Sequence, residues 1–384
     1  MLRRIAGIVV VAPAAALFAF ALLADRAWFE RHVVVPAYRL PPSPWALPAV
    51  RAGAAFFGCL LAFFAVAAWR RATAGGIARV SAAILLSLVV SEFLLRRFDR
   101  PESEKTDPRL EWILGVEDPR TGWAFVPNRE MVLPPRGKQR RALYAIDAHG
   151  DRAPSKDWVE DPRAPTIIVT GESTAVGHGL EWPDTIAARL SAKLRLQVVN
   201  VAEGGYGSDQ AHLRAVDALL RFARPVAVVT LVLPVQLHRN IQDDRPRLVV
   251  RGGDLVSEPA SRSQLRLRRI FVDEIPYLSE ARLRGSLAVT RAILHSTAAA
   301  ARQRGAAPLF VVPCIGPPRA EADRPEAFFV QAVLADLPHA VVDVPPSELI
   351  PLDGHPDRAG AERIASAIAA ALAPLLPQPP FQNR

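Results

Sequence analysis

Hydrophobic positions are arranged differently in the first hundred residues and in the rest of the chain. Ile5 to Ala24 is an uncharged apolar run behind Arg3 and Arg4. It is long enough, as a helix, to cross a bilayer core of about 30 Å. Pro13 is compatible with that reading, because membrane helices accept proline better than soluble ones do. A secretory signal shares the basic start and apolar centre. This run, however, is long, ends in Ala21-Leu22-Leu23-Ala24 without a clear small-x-small site, and is followed by more apolar sequence. It reads as a retained helix. Ala52 to Trp69 is a second uncharged run, closed by Arg70 and Arg71. A third, over 79–95, carries Ser91 and Glu92 near its end and reads either as a span or as an amphipathic helix lying at the interface. The pattern predicts a membrane region over 1–99 with helices at 5–24, 52–69 and 79–95.

Residues 100–163 are irregular and rich in Pro, Gly and charge, as expected of a connecting and packing region. From 164 to 376 short apolar runs alternate with segments of helical spacing. Thr166 to Thr170, Leu196 to Val201, Val226 to Leu233, Pro308 to Pro313 and Ala340 to Val344 read as buried strands. Trp182 to Leu194, Ser208 to Phe222 (opened by a Ser/Asp cap), Leu287 to Arg304 and Ala359 to Leu376 read as helices, with Pro356 at the expected start of the last. An irregular Arg-rich insertion lies between Asn240 and Gly285, and the Pro-rich tail 377–384 reads as disordered. Strands alternating with helices imply a parallel sheet covered on both faces, with reactive groups beyond the carboxyl ends of its strands.

Composition sharpens this picture in three places. Half of the 384 residues are hydrophobic and the mean hydropathy is +0.14, an excess concentrated before residue 100. The net charge of +9 comes from arginines spread along the chain and flanking the apolar runs. No basic block is interleaved with aromatics, which argues against a nucleic-acid partner. Arg262 to Arg269 is basic and reads as a solvated helix face or as a patch for anionic headgroups. The two cysteines, Cys59 in an apolar run and Cys314 after a strand, make no disulfide framework. Arg3 and Arg4, and Arg70, Arg71 and Arg79 between the second and third runs, predict cytoplasmic ends. Three spans then put everything after about residue 97 outside the cytoplasm, although Arg96, Arg97 and Arg100 pull mildly the other way.

Candidate chemistry begins at Gly171-Glu172-Ser173-Thr174-Ala175-Val176-Gly177, directly after the first predicted strand. A serine on that turn is exposed at the sheet edge, and its own N–H can face a developing oxyanion. It is a weak nucleophile until a base takes its proton; a plain turn or helix cap would use the same residues. The second piece is Asp353-Gly354-His355-Pro356. There His355 offers a base near neutrality and Asp353 a carboxylate to fix its tautomer; a helix-start loop with a surface histidine is the bland alternative. His178 reads as a solvated loop residue, and His238 as lining the site mouth or as surface.

Together these blocks resemble the SGNH/GDSL hydrolase superfamily. Val169-Thr170-Gly171-Glu172-Ser173 is similar to its first block, with Glu172 where Asp is usual. Asn200-Val201-Ala202-Glu203-Gly204-Gly205-Tyr206-Gly207-Ser208-Asp209-Gln210 is similar to the second, and the Asp353–His355 block followed by Ala359-Gly360 to the last. Gly122-Trp123-Ala124-Phe125-Val126-Pro127-Asn128 and Ile146-Asp147-Ala148-His149-Gly150-Asp151-Arg152 resemble the lead-in of bacterial membrane-linked members. The resemblance implies a flavodoxin-like three-layer α/β/α sandwich behind the N-terminal transmembrane helices, and ester hydrolysis or acyl transfer through an acyl-serine. It implies Ser173, His355 and Asp353 as catalytic residues, and the N–H groups of Ser173 and Gly205 as the oxyanion hole. It also departs from the family: the third block normally supplies an Asn donor, where this chain has Val235, leaving Gln236 as the substitute expected to reach the hole. No metal or organic cofactor is implied. The expected protein is a multi-pass enzyme of the bacterial inner membrane with its C-terminal domain in the periplasm, acting on an ester-bearing envelope lipid or glycan. The rival is a membrane-tethered scaffold that kept the fold and lost the chemistry.

Overall fold

The computed structural model describes residues 2–25, 46–71, 74–98, 115–133, 142–243, 245–261, 280–316 and 324–376. The chain divides into two compact units, 1–100 with 263–282 and 101–262 with 283–384. The predicted tail 377–384 and the basic stretch Arg262 to Arg269 lie outside the described residues.

In the first unit the apolar runs are helices: α1 (Leu2–Leu23), α2 (Ala46–Arg71) and α3 (Ala74–Phe98). α1 and α2 run antiparallel. Arg51 near the start of α2 donates to the carbonyls of Ala21 (2.7 Å) and Leu22 (3.2 Å), satisfying orphan acceptors at the end of α1. One helical stretch further along, Gly58 faces Phe18 so closely that an added Cβ would stand 3.3 Å from the ring. Large apolar side chains are exposed on all three helices, among them Leu22, Phe57, Phe63, Leu85 and Phe93. Among the described residues no helix is long and apolar enough to cross a membrane. Parts of the spans expected at 5–24, 52–69 and 79–95, including the side chains of 5–11, 64–69 and 79–81, lie outside the described residues.

The second unit is mixed α/β. β1 (Gly115–Asp118) and β2 (Gly122–Phe125) form a small antiparallel sheet of their own. β3 (Arg129–Leu133), β4 (Ala142–Ile146) and β5 (Arg152–Ala153) run antiparallel along one edge of an eight-stranded sheet. The rest of that sheet is parallel: β6 (Thr166–Thr170), β7 (Gln197–Asn200), β8 (Pro225–Leu231), β11 (Ala307–Ile315) and β12 (His339–Val344). Its parallel order is β7-β6-β8-β11-β12. Counting only those five strands, that is 2-1-3-4-5, the flavodoxin-like order with its crevice where the chain reverses direction about β6. Two corrections follow. The sheet begins well before 164, because the region expected to be connecting supplies three short edge strands. β9 (Arg247–Arg251) and β10 (Asp254–Glu258) also form a hairpin inside the insertion expected to be irregular, turning at Gly252 and Gly253, which both have positive φ.

Side-chain alternation along β6 explains why both faces are covered. Ile167 and Val169 point to one face with Ala227, Val229, Leu309 and Val311, packing on α5 (Ile186–Leu194) and on the last helix, which spans Arg358–Leu372. Ile168 points to the other with Val199 and Val228, against α6 (Ser208–Arg221) and Ala301 of α8 (Glu280–Gln303). The helix expected to begin at Trp182 is broken: Thr185 is extended and its side chain caps α5 by accepting from Ala188 N–H. Likewise Gly207, rather than Ser208, is the cap of α6; the Gln210 side chain accepts from Gly207 N–H and Asn240 from Ser208 N–H. Asp357, not Pro356, caps the last helix by accepting from Ala359 and Gly360 N–H; this helix is α9 below.

The Asp147–Arg152 motif is a structural knot. Asp147 accepts from the N–H groups of His149 and Asp151, shaping the turn into β5. Asp151, 1% exposed, takes Arg214 and Arg221 of α6 on its two oxygens at 2.5 Å each. Both burial and the neighbouring charge of Asp151 push the Asp147 carboxyl above its ordinary range. The knot ties the antiparallel edge to a helix of the parallel core.

Candidate active site

All five residues of β6 are buried, so the chain leaves the sheet at Gly171 already inside the molecule. Gly171 has φ +145°, and a Cβ there would stand 2.8 Å from the Leu231 carbonyl at the end of β8. Only glycine fits that approach. Glu172 then caps the short helix α4 (Ser173–Val176), its Oε1 accepting from Thr174 N–H at 3.0 Å. Ser173 is thereby the first helical residue, half-buried beyond the carboxyl end of the central strand.

The last block arrives from the far end of the sheet. After β12 the chain closes a loop in which Ile350 N–H donates to the His355 carbonyl (2.8 Å) and Asp353 and Gly354 N–H donate to the Ile350 carbonyl. Within it Asp353 Oδ1 lies 2.5 Å from His355 Nδ1, and His355 Nε2 lies 2.8 Å from Ser173 Oγ. A carboxylate at Nδ1 holds the ring proton there and leaves the Nε2 lone pair toward the serine. Burial alone would raise the Asp353 carboxyl. The hydrogen bond from His355 and the imidazoles of His355 and His178 outweigh it and hold the group below its ordinary range. Three residues singled out from sequence thus meet in one hydrogen-bonded chain.

The sequence did not foresee two further groups at this site. Glu172 is long enough to cap α4 with one oxygen and take the Ser173 hydroxyl with the other, Oε2, at 2.5 Å. The Ser173 hydroxyl therefore has two acceptors, Glu172 Oε2 and His355 Nε2. His178, expected to be solvated, has its Nε2 3.7 Å from Asp353 Oδ2 and its ring 4.5 Å from that of His355. The loop carrying it is fixed from the antiparallel edge: Tyr144 Oη donates to the Gly177 carbonyl and accepts from Gly179 N–H, and Arg152 donates to the Leu180 carbonyl at 2.6 Å. The Gly-His-Gly context leaves the direction of the imidazole open, and the residues that fix the loop, on β4 and β5, are remote in sequence.

The second block runs beside the serine turn, with Glu203 N–H to the Gly171 carbonyl at 3.4 Å. Gly205 sits there half-buried at φ +77°. Among the described residues neither the Ser173 nor the Gly205 amide N–H has an acceptor. Gln236 is a correction. It is fully buried at the start of α7 (Gln236–Arg239), its Oε1 facing Ser208 Oγ and Leu233 N–H. Its Nε2 is enclosed without a partner, so in this conformation it offers no donor to an arriving carbonyl. The physical reason is that the side chain is turned to Ser208 Oγ and to the N–H of Leu233 in the loop before α7. His238 is half-buried on α7.

Glu203 is buried under this loop and its carboxyl is pushed up to about 8, chiefly by desolvation, against the opposing effects of Arg214 and the N–H groups of Gly204 and Phe125. A carboxyl raised on folding contributes stability that is full below its unfolded value and is lost as pH rises through its folded one. Melting temperature should therefore fall between about 4.5 and about 8 through this residue. Glu203→Gln should flatten that fall, leaving the variant the more stable protein in melts at about pH 9. Parallel curves for the two proteins would show that Glu203 is not the group responsible.

Among the described residues two clusters could hold a metal ion: His178, Asp353 and His355, and Asp147, Asp151 and Glu160, with ligand atoms in each within 4.8 Å of one another. In the second, Arg214 and Arg221 already occupy both oxygens of Asp151, and Arg221 Nε lies 3.3 Å from Glu160.

Among solved structures the chain is similar, over a little more than half of its length, to lipolytic proteins of the G-D-S-L family and to carbohydrate esterases. One is a lipolytic G-D-S-L protein from Desulfitobacterium hafniense DCB-2, at 12% identity and TM-score 0.35 over 54% of this chain and 99% of that one. Another, from Veillonella parvula DSM 2008, has 10% identity and TM-score 0.30 over 55% and 97%. An acetyl xylan esterase from Butyrivibrio proteoclasticus has 11% identity and TM-score 0.32 over 56% of this chain and 65% of that one. No protein-family model and no curated protein matches the chain in sequence.

Proposed function

We propose that this protein is a serine esterase or O-acyl transferase of the SGNH/GDSL type. The observation that carries the reading is the chain Asp353–His355–Ser173, with contacts of 2.5 and 2.8 Å at the carboxyl end of the sheet. His355 takes the Ser173 proton as Oγ attacks the acyl carbon; Asp353 holds the imidazolium that results. Negative charge developing on the carbonyl oxygen meets the unengaged N–H groups of Ser173 and Gly205. His355 then returns the proton to the departing alcohol, leaving an acyl-serine. Water completes hydrolysis and a sugar hydroxyl completes transfer; both use the same residues.

The substrate we propose is an ester on an envelope lipid or glycan, with the first unit held at a membrane and the second facing the periplasm. Support comes from the apolar side chains exposed on α1, α2 and α3, which are costly in water over so large a surface. The scaffold reading draws on Gln236, whose buried amide leaves the third oxyanion donor unfilled. The intact proton chain outweighs it, since that third donor affects rate rather than the existence of a nucleophile.

A fluorophosphonate probe should label the purified protein and leave Ser173→Ala unlabelled while both show the same melting transition. Label on both proteins would exclude Ser173 as nucleophile, and label on neither would favour the scaffold.

A further inference from the structure

We propose that Trp123 is a positioning residue, holding the Gly204–Gly205 peptide in the one orientation that aims Gly205 N–H at the oxyanion. The inference rests on the hydrolase reading above.

In a trans peptide the carbonyl and the N–H point to opposite sides, and the chain has no cis bond among the described residues. The Gly204 carbonyl and the Gly205 N–H belong to the same peptide. Fixing one direction fixes the other. Two consecutive glycines do not fix it themselves, because each can rotate through both halves of conformational space at little cost. A flipped peptide would turn a carbonyl toward the oxyanion, replacing a donor with a repelling dipole.

Trp123 opposes the flip in two ways. Its indole Nε1–H donates to the Gly204 carbonyl at 3.0 Å. Its ring also lies over Gly205, where an added Cβ would be 3.3 Å from Cζ2. The indole is in turn anchored to the next residue of the same loop. The Trp123 carbonyl accepts from Tyr206 Oη at 2.7 Å and from Thr121 Oγ1 at 2.8 Å, and the two rings are 5.6 Å apart. The small β1–β2 sheet therefore acts as a clamp on the oxyanion loop, which gives the Gly122–Asn128 motif a purpose beyond connecting two regions.

The test compares wild type with Trp123→Phe, which keeps a ring and removes the N–H, on 4-nitrophenyl acetate and on a boronic acid that forms a tetrahedral serine adduct. Expected are a kcat lowered by about tenfold or more, with the roughly 10²–10³ for complete loss of an oxyanion donor as the ceiling, an unchanged KM and melting temperature, and boronate affinity weakened in step with kcat. Should the phenylalanine variant fold poorly, 3-benzothienylalanine at 123 preserves the indole shape without its N–H. An active wild type whose variant keeps kcat within about twofold, or loses KM and stability along with it, overturns the inference and leaves the hydrolase reading standing. A folded wild type inert to ester and fluorophosphonate alike overturns both.

Discussion

Replacing His355 with alanine is expected to lower kcat for ester hydrolysis by roughly 10⁶, the scale at which a serine triad loses its base. The Ser173 hydroxyl does not ionise on its own near neutrality, and Nε2 at 2.8 Å is the acceptor that can pass its proton on. KM for a small ester should hardly move, because the imidazole acts on the proton rather than on substrate binding. Initial rates on 4-nitrophenyl acetate would measure both. The rival acceptor makes the result informative in either direction. Glu172 Oε2 stands 2.5 Å from the same hydroxyl. A loss of only about tenfold would mean that Glu172 serves as the base and that His355 does not.

The second large effect is on stability. Asp151→Ala should cost about 3 kcal/mol, because removing one partner of a buried ion cluster leaves the opposite charges uncompensated. Arg214 and Arg221 would lose their 2.5 Å contacts with the carboxylate. Arg221 would keep Glu160 at 3.3 Å, which holds the loss near the lower end of the expected range. For a unit of this size the melting temperature should drop by on the order of 10 °C. Unfolding monitored by circular dichroism checks it; a drop of only a degree or two would mean that the knot contributes no net stability.

What was legible in the sequence is what periodicity and local order carry. The continuous apolar run of Thr166–Thr170 marks a strand buried on both faces, and Gly171 marks the tight exit from it, so Ser173 was placed correctly beyond a strand end. Asp353 and His355 were legible because a two-residue spacing lets one loop hold both. The edge strands were not: β5 is two residues long, and its pairing with β7 rests on a single position, Arg152 opposite Asn200. Propensity has nothing to act on there. Gln236 was misplaced because amide chemistry suggests a donor, while the direction of the side chain depends on Ser208 and Leu233, which no spacing reveals. Trp123 and His178 were passed over for a similar reason, since their partners lie 81 and 175 residues away (Gly204 and Asp353). The structure assigns them by contact.

The separation of Ser173 and His355 by 182 positions also sets a schedule. At ribosomal speeds of about 5–20 residues per second, the nucleophile emerges roughly 10 to 40 seconds before its base. Through that interval the growing chain carries an ordinary, unactivated serine. The strand, loop and helix that complete the site (β12, the Asp353–His355 turn and α9) are made after every other strand of the sheet. A chain cut short before them would hold the serine turn without the imidazole and carboxylate that meet it.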